Sequence, residues 1–227
     1  MNKISIIIPA FNQGNHTVNC LKGIVSTCDV DFETILIDDG STELVYKAIP
    51  KLFPNIKVVR NETNLGFIKS TNRGFEIATG THYLMLNNDT IIKDPKWLKK
   101  ILCGMQKRGL DMAGVAGGRM TRDWNYIPGE AKKETDSFAY LAGWCLMLRR
   151  EVIDSIGALS EKFGIGMFDD LDLCIRAKQA GFKMGIVEGI KITHLYHQTF
   201  IKSGYNISEQ YKKNRLVFLE AHGIRID

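Results

Sequence analysis

Three short clusters carry residue types that can hold a metal ion or move a proton. Asp169-Asp170-Leu171-Asp172 contains three carboxylates, Asn87-Asn88-Asp89 joins two amides to a carboxylate, and Asp38-Asp39 is a pair of acids. Hard divalent cations choose oxygen ligands of this kind, often one or two protein groups beside substrate phosphates. An ionised carboxylate can also act as a general base towards a hydroxyl. His194 and His197 are further candidates for binding metal or phosphate.

Each cluster also has a structural interpretation, which the sequence leaves open. Asp89 is as well placed for an Asx turn or a helix cap ahead of Pro95 as for an open metal site. Acids at the start of a helix offset the positive end of its dipole, which alone could explain residues 169–172. A lone histidine is more often part of the packing than a ligand. Chemistry is indicated only if the fold brings the clusters together.

The first half of the chain alternates short apolar runs with helical patterns. The runs at 4–8, 34–37, 56–59 and 82–86 predict four strands. Helices are predicted at 15–27, 43–52 and 68–78, the last closed by Gly80 at its C′ position. This order is typical of right-handed βαβ units, which build a parallel sheet. The chain is therefore predicted to be an α/β protein.

The second half predicts shorter elements and a mixed sheet. Short strands are expected at 115–120, 138–141, 145–148, 183–187 and 191–194, and helices at 97–106, 171–180 and 208–221. No internal repeat or linker divides the sequence. We therefore expect a single domain over 1–227, with a central mixed, mostly parallel sheet.

Polar residues follow each of the first four predicted strands, at 9–12, 38–41, 61–67 and 87–90. Ligands of open α/β sheets bind at the carboxyl ends of the strands, so these residues are expected to converge on one rim. The turn after the first strand lacks Gly-x-Gly-x-x-Gly, and the chain has no Walker loop, which disfavours NAD and P-loop ATP. A diphosphate bound there would need a cation, and Asp89 is the best candidate ligand.

Composition is that of an ordinary soluble protein. Lys and Arg number 30 against 25 Asp and Glu, and this net charge of +5 is too small to indicate nucleic-acid binding. Five irregularly spaced cysteines favour reduced thiols over zinc or disulfides. Neither a signal peptide nor an apolar run of membrane-spanning length is recognised, so we expect a cytoplasmic protein. The basic stretch 212–219 is expected to be a docked helix, the alternative being contact with an anionic membrane at its inner face.

These motifs, taken in order, resemble those of the family 2 glycosyltransferases, which have the GT-A fold. The resemblance is greatest to the bacterial rhamnosyltransferase-like branch, which builds surface polysaccharides. It extends over nearly the whole chain, through 6–12, 37–41, 64–67, 86–90, Gly143 with 145–149, 168–174 and 192–194. The fold implied is one Rossmann-like nucleotide-diphospho-sugar transferase domain. Residues 1–90 would bind the nucleotide sugar, and 91–227 would bind the acceptor and carry out catalysis.

The resemblance assigns catalysis and metal binding to a few positions. Asp170 would be the catalytic base, and Asp169, where the branch usually has Glu, would contact the acceptor. Asp89 and His194 would bind Mn²⁺ or Mg²⁺, with His197 as the less favoured ligand.

The resemblance also implies a donor site. Asn87 replaces the first acid of the family's Asp-x-Asp motif, and Asp38 would support its neighbours. Trp144 would stack on the acceptor, or else belong to the core. The donor, a UDP-, dTDP- or GDP-sugar, would contact Pro9, Ala10, Phe11, Asn12, Asp38, Asp39, Gly66, Asn72, Asn87, Asn88 and Asp89.

The activity implied is an inverting, metal-dependent transfer of a sugar to a saccharide or lipid-linked acceptor. A sugar-1-phosphate nucleotidyltransferase is disfavoured because residues 9–14 are not the glycine-rich, basic loop that it needs. The remaining alternative is a non-catalytic module that binds nucleotide sugars or carbohydrate.

Overall fold

The computed structural model describes residues 2–133, 135–136, 139–195 and 206–225 of the 227-residue chain. In these ranges the strands are β1 Ile4–Ala10, β2 Phe32–Asp38, β3 Ile56–Arg60, β4 His82–Leu86, β5 Thr90–Ile92, β6 Met112–Gly114, β7 Gly117–Met120, β8 Tyr126–Ala131, β9 Tyr140–Leu141, β10 Cys145–Arg149, β11 Met184–Ile186 and β12 Ile192–His194. The helices are α1 Gly14–Val25, α2 Val45–Leu52, α3 Phe67–Ile77, α4 Trp97–Arg108, α5 Arg150–Ile156, α6 Asp169–Gln179 and α7 Ile207–Ala221, with a short 3₁₀ turn at Glu161–Phe163.

Seven strands form the central sheet, in the order β11-β6-β10-β4-β1-β2-β3. The four strands predicted in the first half are parallel, as expected from the βαβ pattern. β10 runs antiparallel between β4 and β6, so the predicted mixed sheet is also confirmed. Two smaller sheets accompany it: β5 pairs with β12, and β7 lies between β8 and β9.

Both faces of the central sheet are covered. Every residue of β1 is buried, with Ile6 and Ile8 in one apolar cluster and Ile7 in the other. Such a continuous apolar run is what a parallel strand between two layers of helices requires. Helix α3 can approach β1 because Gly74 has no side chain: a Cβ there would lie 2.2 Å from Ile7 Cγ2.

Gly80 does not serve as the C′ glycine that the sequence suggested. Ala78, which follows the last residue of α3, is already extended, with φ −72° and ψ 139°. Gly80 instead lies against β1, where an added Cβ would come 2.7 Å from both Lys3 O and Ser5 Oγ. The glycine is therefore needed for a close crossing of two chain segments, and the capping prediction was wrong.

The second half departs furthest from the predicted elements. The strand expected at 115–120 is divided, because the chain leaves β6 in the central sheet and enters β7 in the small one. The segment expected at 138–141 is described only from residue 139 and contains β9. β5, β8 and α5 were not predicted. In β8, Pro128 and Gly129 lower the expectation of a strand.

The expectations from cysteine spacing and hydropathy can be compared with the structure in the described residues. All five cysteines are free, and Cys20, Cys145 and Cys174 are buried, as reduced thiols in a core would be. Among the described helices, none has the length and apolar character needed to cross a membrane.

Candidate active site

A cavity of about 1010 Å³ opens where the carboxyl ends of β1, β2 and β4 meet. The convergence of strand ends predicted from the sequence is therefore observed. The predicted site residues in its wall are Pro9, Ala10, Phe11, Asp39, Gly66, Asn87, Asn88, Asp89, Trp144, Asp169, Asp170 and His194.

Asp39 fixes the loop that forms one side of the cavity. Its carboxylate accepts hydrogen bonds from Asn61 Nδ2 at 2.7 Å, Leu65 N at 2.8 Å and Gly66 N at 2.9 Å. Asp39 is almost fully buried, and its charge is balanced by these three donors. Gly66 has φ +89°, and a Cβ on it would meet Ile165 Cα at 3.3 Å, which explains the glycine.

Asn87, Asp89 and His194 meet on another side of the cavity. His194 Nε2 lies 3.1 Å from Asn87 Nδ2 and 3.1 Å from Asp89 Oδ1. The pairing of β5 with β12 sets this arrangement, because His194 lies opposite Thr90, the residue after Asp89. His197 lies outside the described residues.

The side chains at this point fit a divalent cation. Asn87 Oδ1 is buried and has no hydrogen-bond partner in the described part of the chain. The 3.1 Å between Asp89 Oδ1 and His194 Nε2 is close to the ~2.9 Å between adjacent ligands of an octahedral Mg²⁺. The described residues hold no group of three His, Cys, Asp or Glu side chains suited to a metal. Phosphate and water oxygens would have to complete the shell, as is usual for Mg²⁺.

Trp144 packs against other residues of the cavity wall. The residue is only 8% exposed. It stacks on His194 with 4.9 Å between ring centroids and 14° between planes. Its Nε1 donates to Glu130 Oε1 at 2.8 Å, and Lys132 Nζ lies 5.5 Å from the ring centroid. These contacts agree with the packing interpretation, in which Trp144 holds the imidazole of His194, and acceptor stacking stays a prediction.

The acidic cluster divides at the start of α6. Asp170 Oδ2 accepts from Gly143 N at 3.0 Å and its Oδ1 accepts from Leu171 N at 2.9 Å. Asp172 does not line the cavity and pairs with Arg176 at 2.8 Å and with His222 at 3.0 Å. All three acids lie in the first turn of α6, where the helix dipole favours them, but only Asp169 and Asp170 also line the cavity.

The two cavity acids differ in their affinity for a proton. Burial raises the pKa of Asp169, and the negative charge of Asp170 raises it further. Burial also raises the pKa of Asp170, but the N–H groups of Gly143 and Leu171 stabilise its ionised form and oppose the rise. Within the pair, the two N–H donors therefore favour the ionised form of Asp170, the form that can accept a proton.

Three predicted donor residues do not line the cavity. Asn72 was expected in the nucleotide pocket, but its side chain is hydrogen-bonded to the backbone of Leu159. Its Nδ2 donates to Leu159 O at 2.9 Å, and its Oδ1 accepts from Leu159 N at 3.0 Å. Asn12 is likewise engaged, because its Oδ1 accepts from Thr42 N at 2.9 Å. Asp38 pairs with Arg60 and accepts from Ser41 N, which is a supporting position behind the wall.

Three aromatic residues of the cavity wall were not predicted from the sequence. Tyr126, Tyr140 and Tyr211 line the cavity, and the Tyr126 ring lies 6.0 Å from Tyr140 and 5.3 Å from Tyr211. Burial, and then the charge of Asp170, raises the pKa of Tyr126 and of Tyr140, so both remain protonated donors. No motif marks these residues, and Tyr126 lies between the strands predicted at 115–120 and 138–141, where no element was expected.

Comparison with known proteins identifies the family. The family model described as glycosyl transferase family 2 matches residues 5–157. The chain belongs to this family. The match includes Asp39, Asp89 and Trp144, whereas Asp170 and His194 lie beyond it. Their assignment therefore depends on the geometry of the cavity.

Individual relatives agree with the family. An uncharacterized glycosyltransferase of Haemophilus influenzae is 34% identical over 107 residues, covering 46% of this chain and 33% of the relative. The uncharacterized glycosyltransferase YibD of Escherichia coli is 26% identical over 141 residues, covering 59% of this chain and 40% of the relative. The chain thus spans well under half the length of these curated relatives. The rhamnosyltransferase-like branch stays a prediction.

Solved structures confirm the fold. A mannosyltransferase of Pyrobaculum calidifontis, in complex with GDP-Man and Mn²⁺, matches all of this chain and 65% of its own at a TM-score of 0.72 and 15% identity. GalNAc-T7, solved with UDP, GalNAc and Mn²⁺, matches 97% of this chain and 48% of its own at a TM-score of 0.79 and 17% identity. Both are glycosyltransferases of the GT-A fold, so the predicted fold class is correct.

Proposed function

We propose that the protein is an inverting glycosyltransferase that moves a sugar from a nucleoside-diphosphate donor to an acceptor hydroxyl with a divalent metal ion. The observation that carries this proposal is the placement of Asp170 and of the Asp89–His194 pair in the wall of one cavity. Family membership supports sugar transfer. The GDP-Man complex of the mannosyltransferase and the UDP complex of GalNAc-T7, two proteins with the same fold, support a nucleotide-sugar donor.

Asp170 is the proposed general base. Its carboxylate would take the proton from an acceptor hydroxyl while that oxygen bonds to the anomeric carbon and the bond to the diphosphate oxygen breaks. Since the acceptor attacks opposite the leaving group, one such displacement inverts the anomeric configuration. Gly143 N holds Asp170 Oδ2, so the base is oriented before substrate arrives.

The expected protonation of Asp169 supports one displacement at the anomeric carbon rather than two. With burial and its neighbour's charge raising its pKa, Asp169 would carry a proton at neutral pH. A protonated carboxyl is a poor nucleophile but can donate a hydrogen bond to the acceptor. The pair therefore provides one base and one donor, without a second ionised carboxylate for a covalent intermediate.

The proposed metal ligands are Asp89, His194 and Asn87. A bound Mn²⁺ or Mg²⁺ would act as a Lewis acid, neutralising the charge of the diphosphate and favouring its departure. On the opposite side, Pro9, Phe11 and the loop fixed by Asp39 would enclose the nucleoside. Donor and acceptor would thus be held on either side of the anomeric carbon.

The test is hydrolysis and transfer with a panel of UDP-, dTDP- and GDP-sugars in Mn²⁺, Mg²⁺ or EDTA. Wild-type turnover should require the metal, and NMR of the first-formed sugar should show inversion. Asp170→Asn should lower kcat by about 10²-fold or more, the usual contribution of a general base. Asp172→Asn is the matched control, because this acid of the same helix turn faces Arg176 and His222 instead of the cavity.

Each alternative has its own outcome in this assay. Metal-dependent turnover that survives Asp170→Asn would refute the assigned base. Binding of a nucleotide sugar without any turnover would identify the non-catalytic module instead. Retained configuration in the product would exclude the single displacement.

We also propose that the protein acts in bacterial surface polysaccharide or glycoconjugate synthesis, at the inner face of the membrane. Helix α7 supports this placement because Lys212 and Lys213 are exposed and Leu216 is 64% exposed. Basic and apolar groups together can bind an anionic lipid surface. Co-sedimentation with anionic and neutral vesicles tests it, and equal failure to bind both would remove the membrane contact.

A further inference from the structure

Asn214 is a fully buried amide in the middle of α7. Its Nδ2 lies 2.8 Å from Phe163 O, 2.8 Å from Gly166 O and 3.1 Å from Met167 O. Its Oδ1 accepts from Gln210 Nε2 at 2.9 Å. Both ends of the amide are thus engaged, and all three acceptors of Nδ2 belong to the loop 163–167.

This loop has a conformation that its own residues do not favour. Gly164 and Gly166 have φ of +64° and +135°, and the non-glycine residues Met167 and Phe168 have φ of +76° and +68°. Side chains make the left-handed region costly, so two such residues in succession need support from outside the loop. Asn214 binds the carbonyls of Gly166 and Met167, within this strained part of the loop.

The loop connects the two sides of the candidate active site. Gly166 and Met167 line the cavity. Ile165 Cα would lie 3.3 Å from a Cβ on Gly66, the residue whose N–H binds Asp39. Phe168 then ends the loop as the N-cap of α6, and Asp170 follows two residues later. A displacement of the loop would therefore move the start of α6.

We propose that Asn214 is a positioning residue for the transfer reaction. By holding three carbonyls of the 163–167 loop, it keeps the first turn of α6 where Asp170 faces the cavity. The inference rests on the proposed role of Asp170 as base. Helix α7, which lies beyond the segment matched by the family model, thereby serves the reaction without touching substrate.

A double-mutant cycle separates positioning from simple destabilisation. The probe is the nucleotide sugar of the panel that the wild-type protein hydrolyses fastest with Mn²⁺, under enzyme excess. Asn214→Ala should lower kcat at least tenfold in the wild-type background and less than twofold in the Asp170→Asn background. Leu219→Ala is the control, because it also removes a buried side chain from α7 but makes no hydrogen bond to the loop. It should lower the melting temperature with kcat within twofold.

Amide hydrogen exchange provides a readout that needs no turnover. Asn214→Ala should increase exchange in residues 163–172 and leave α1 unchanged, whereas Leu219→Ala should leave 163–172 as in the wild type. Asn214→Ser, which retains one donor, should give an intermediate result and replaces the alanine variant if that does not fold.

Three results for Asn214→Ala would overturn the proposal. They are unchanged hydrogen exchange in residues 163–172, the same fold-loss of kcat in the wild-type and Asp170→Asn backgrounds, and a loss of kcat that Leu219→Ala also shows. Wild-type turnover in Asp170→Asn would instead refute the base assignment, and the exchange result would still decide whether Asn214 holds the loop.

Discussion

The carboxylate of Asp39 provides the sharpest test of how the cavity wall is built. It accepts from Asn61 Nδ2, Leu65 N and Gly66 N within 2.7–2.9 Å, and it is 3% exposed. Gly66 N has a second acceptor, Asn64 Oδ1 at 2.9 Å. Asn61 Nδ2 also donates to Ser70 Oγ at 2.9 Å, but with its other hydrogen. Removal of the carboxylate therefore affects Asn61 Nδ2 most, because Asn61 is 2% exposed whereas Leu65 is 44% exposed.

The magnitudes follow from this hydrogen-bond inventory. In Asp39→Ala, the buried Asn61 N–H without an acceptor costs about 1–3 kcal/mol, and each of the other two lost bonds about 0.5–1.5 kcal/mol, roughly 2–6 kcal/mol together. In Asp39→Asn, the amide oxygen can still accept from Asn61 and Leu65 while Gly66 N turns to Asn64. That variant should lose only about 1–3 kcal/mol, mainly through loss of charge-assisted bonding.

Urea unfolding followed by circular dichroism measures these losses, provided that the slope m is unchanged. Asp154→Asn is the control, since its side chain is 63% exposed and should change stability by less than about 0.5 kcal/mol. Asn64→Ala combined with Asp39→Asn should lose about 0.5 kcal/mol or more beyond the sum of the single variants, because it removes the second acceptor of Gly66 N. The reasoning would be refuted if the Asp39 variants lost no more stability than Asp154→Asn, or if the losses of Asn64→Ala and Asp39→Asn were strictly additive in the double variant.

Three further predictions concern the cavity. Gly118→Ala would place a Cβ 2.0 Å from Tyr140 Cζ, so it should cost about 1–3 kcal/mol and lower kcat as the ring moves beside Asp170. Trp144→Ala should weaken Mn²⁺ affinity in the presence of nucleoside diphosphate by about tenfold or more, measured by calorimetry, because outer-shell support of a ligand has that size. Trp144→Phe, which keeps a ring against His194, should lose less. Since burial raises the pKa of Asp170, and the base must be ionised, kcat should fall as pH decreases through an apparent pKa above the ordinary value. An acid limb at or below about pH 4 would contradict this.

The sequence was informative where burial leaves a simple pattern. β1 and β4 are buried at every residue and appear as continuous apolar runs, and polar residues directly after them reach the cavity. The same reasoning located Asp89, which follows β4. The three acids of residues 169–172 suggested a site, and the resemblance to the family singled out Asp170, which lies in the cavity wall.

Sequence reasoning could not identify contacts between side chains and partners that lie far along the chain. Asn72 binds Leu159, 87 positions away, and the Trp144 ring packs on His194 while its Nε1 reaches Glu130. Nothing in the spacing of residues near Asn72 or Trp144 indicates these partners. The prediction for Gly80 was wrong for the same reason, since the atoms that crowd it belong to Lys3, just before β1, and to Ser5 in β1.

The charge of the cavity gives a physical reason to expect a metal ion. Besides Asp169, which the proposal treats as protonated, the described lining contains the acids Asp39, Asp89, Glu130 and Asp170 but only two Lys or Arg residues, Arg119 and Lys132. Lys132 pairs with Glu130, so little positive charge remains for a diphosphate. The chain's net charge of +5 therefore lies mostly elsewhere. An anionic donor would be repelled from this wall unless a divalent cation came with it, which is why chelation by EDTA should abolish donor binding as well as turnover.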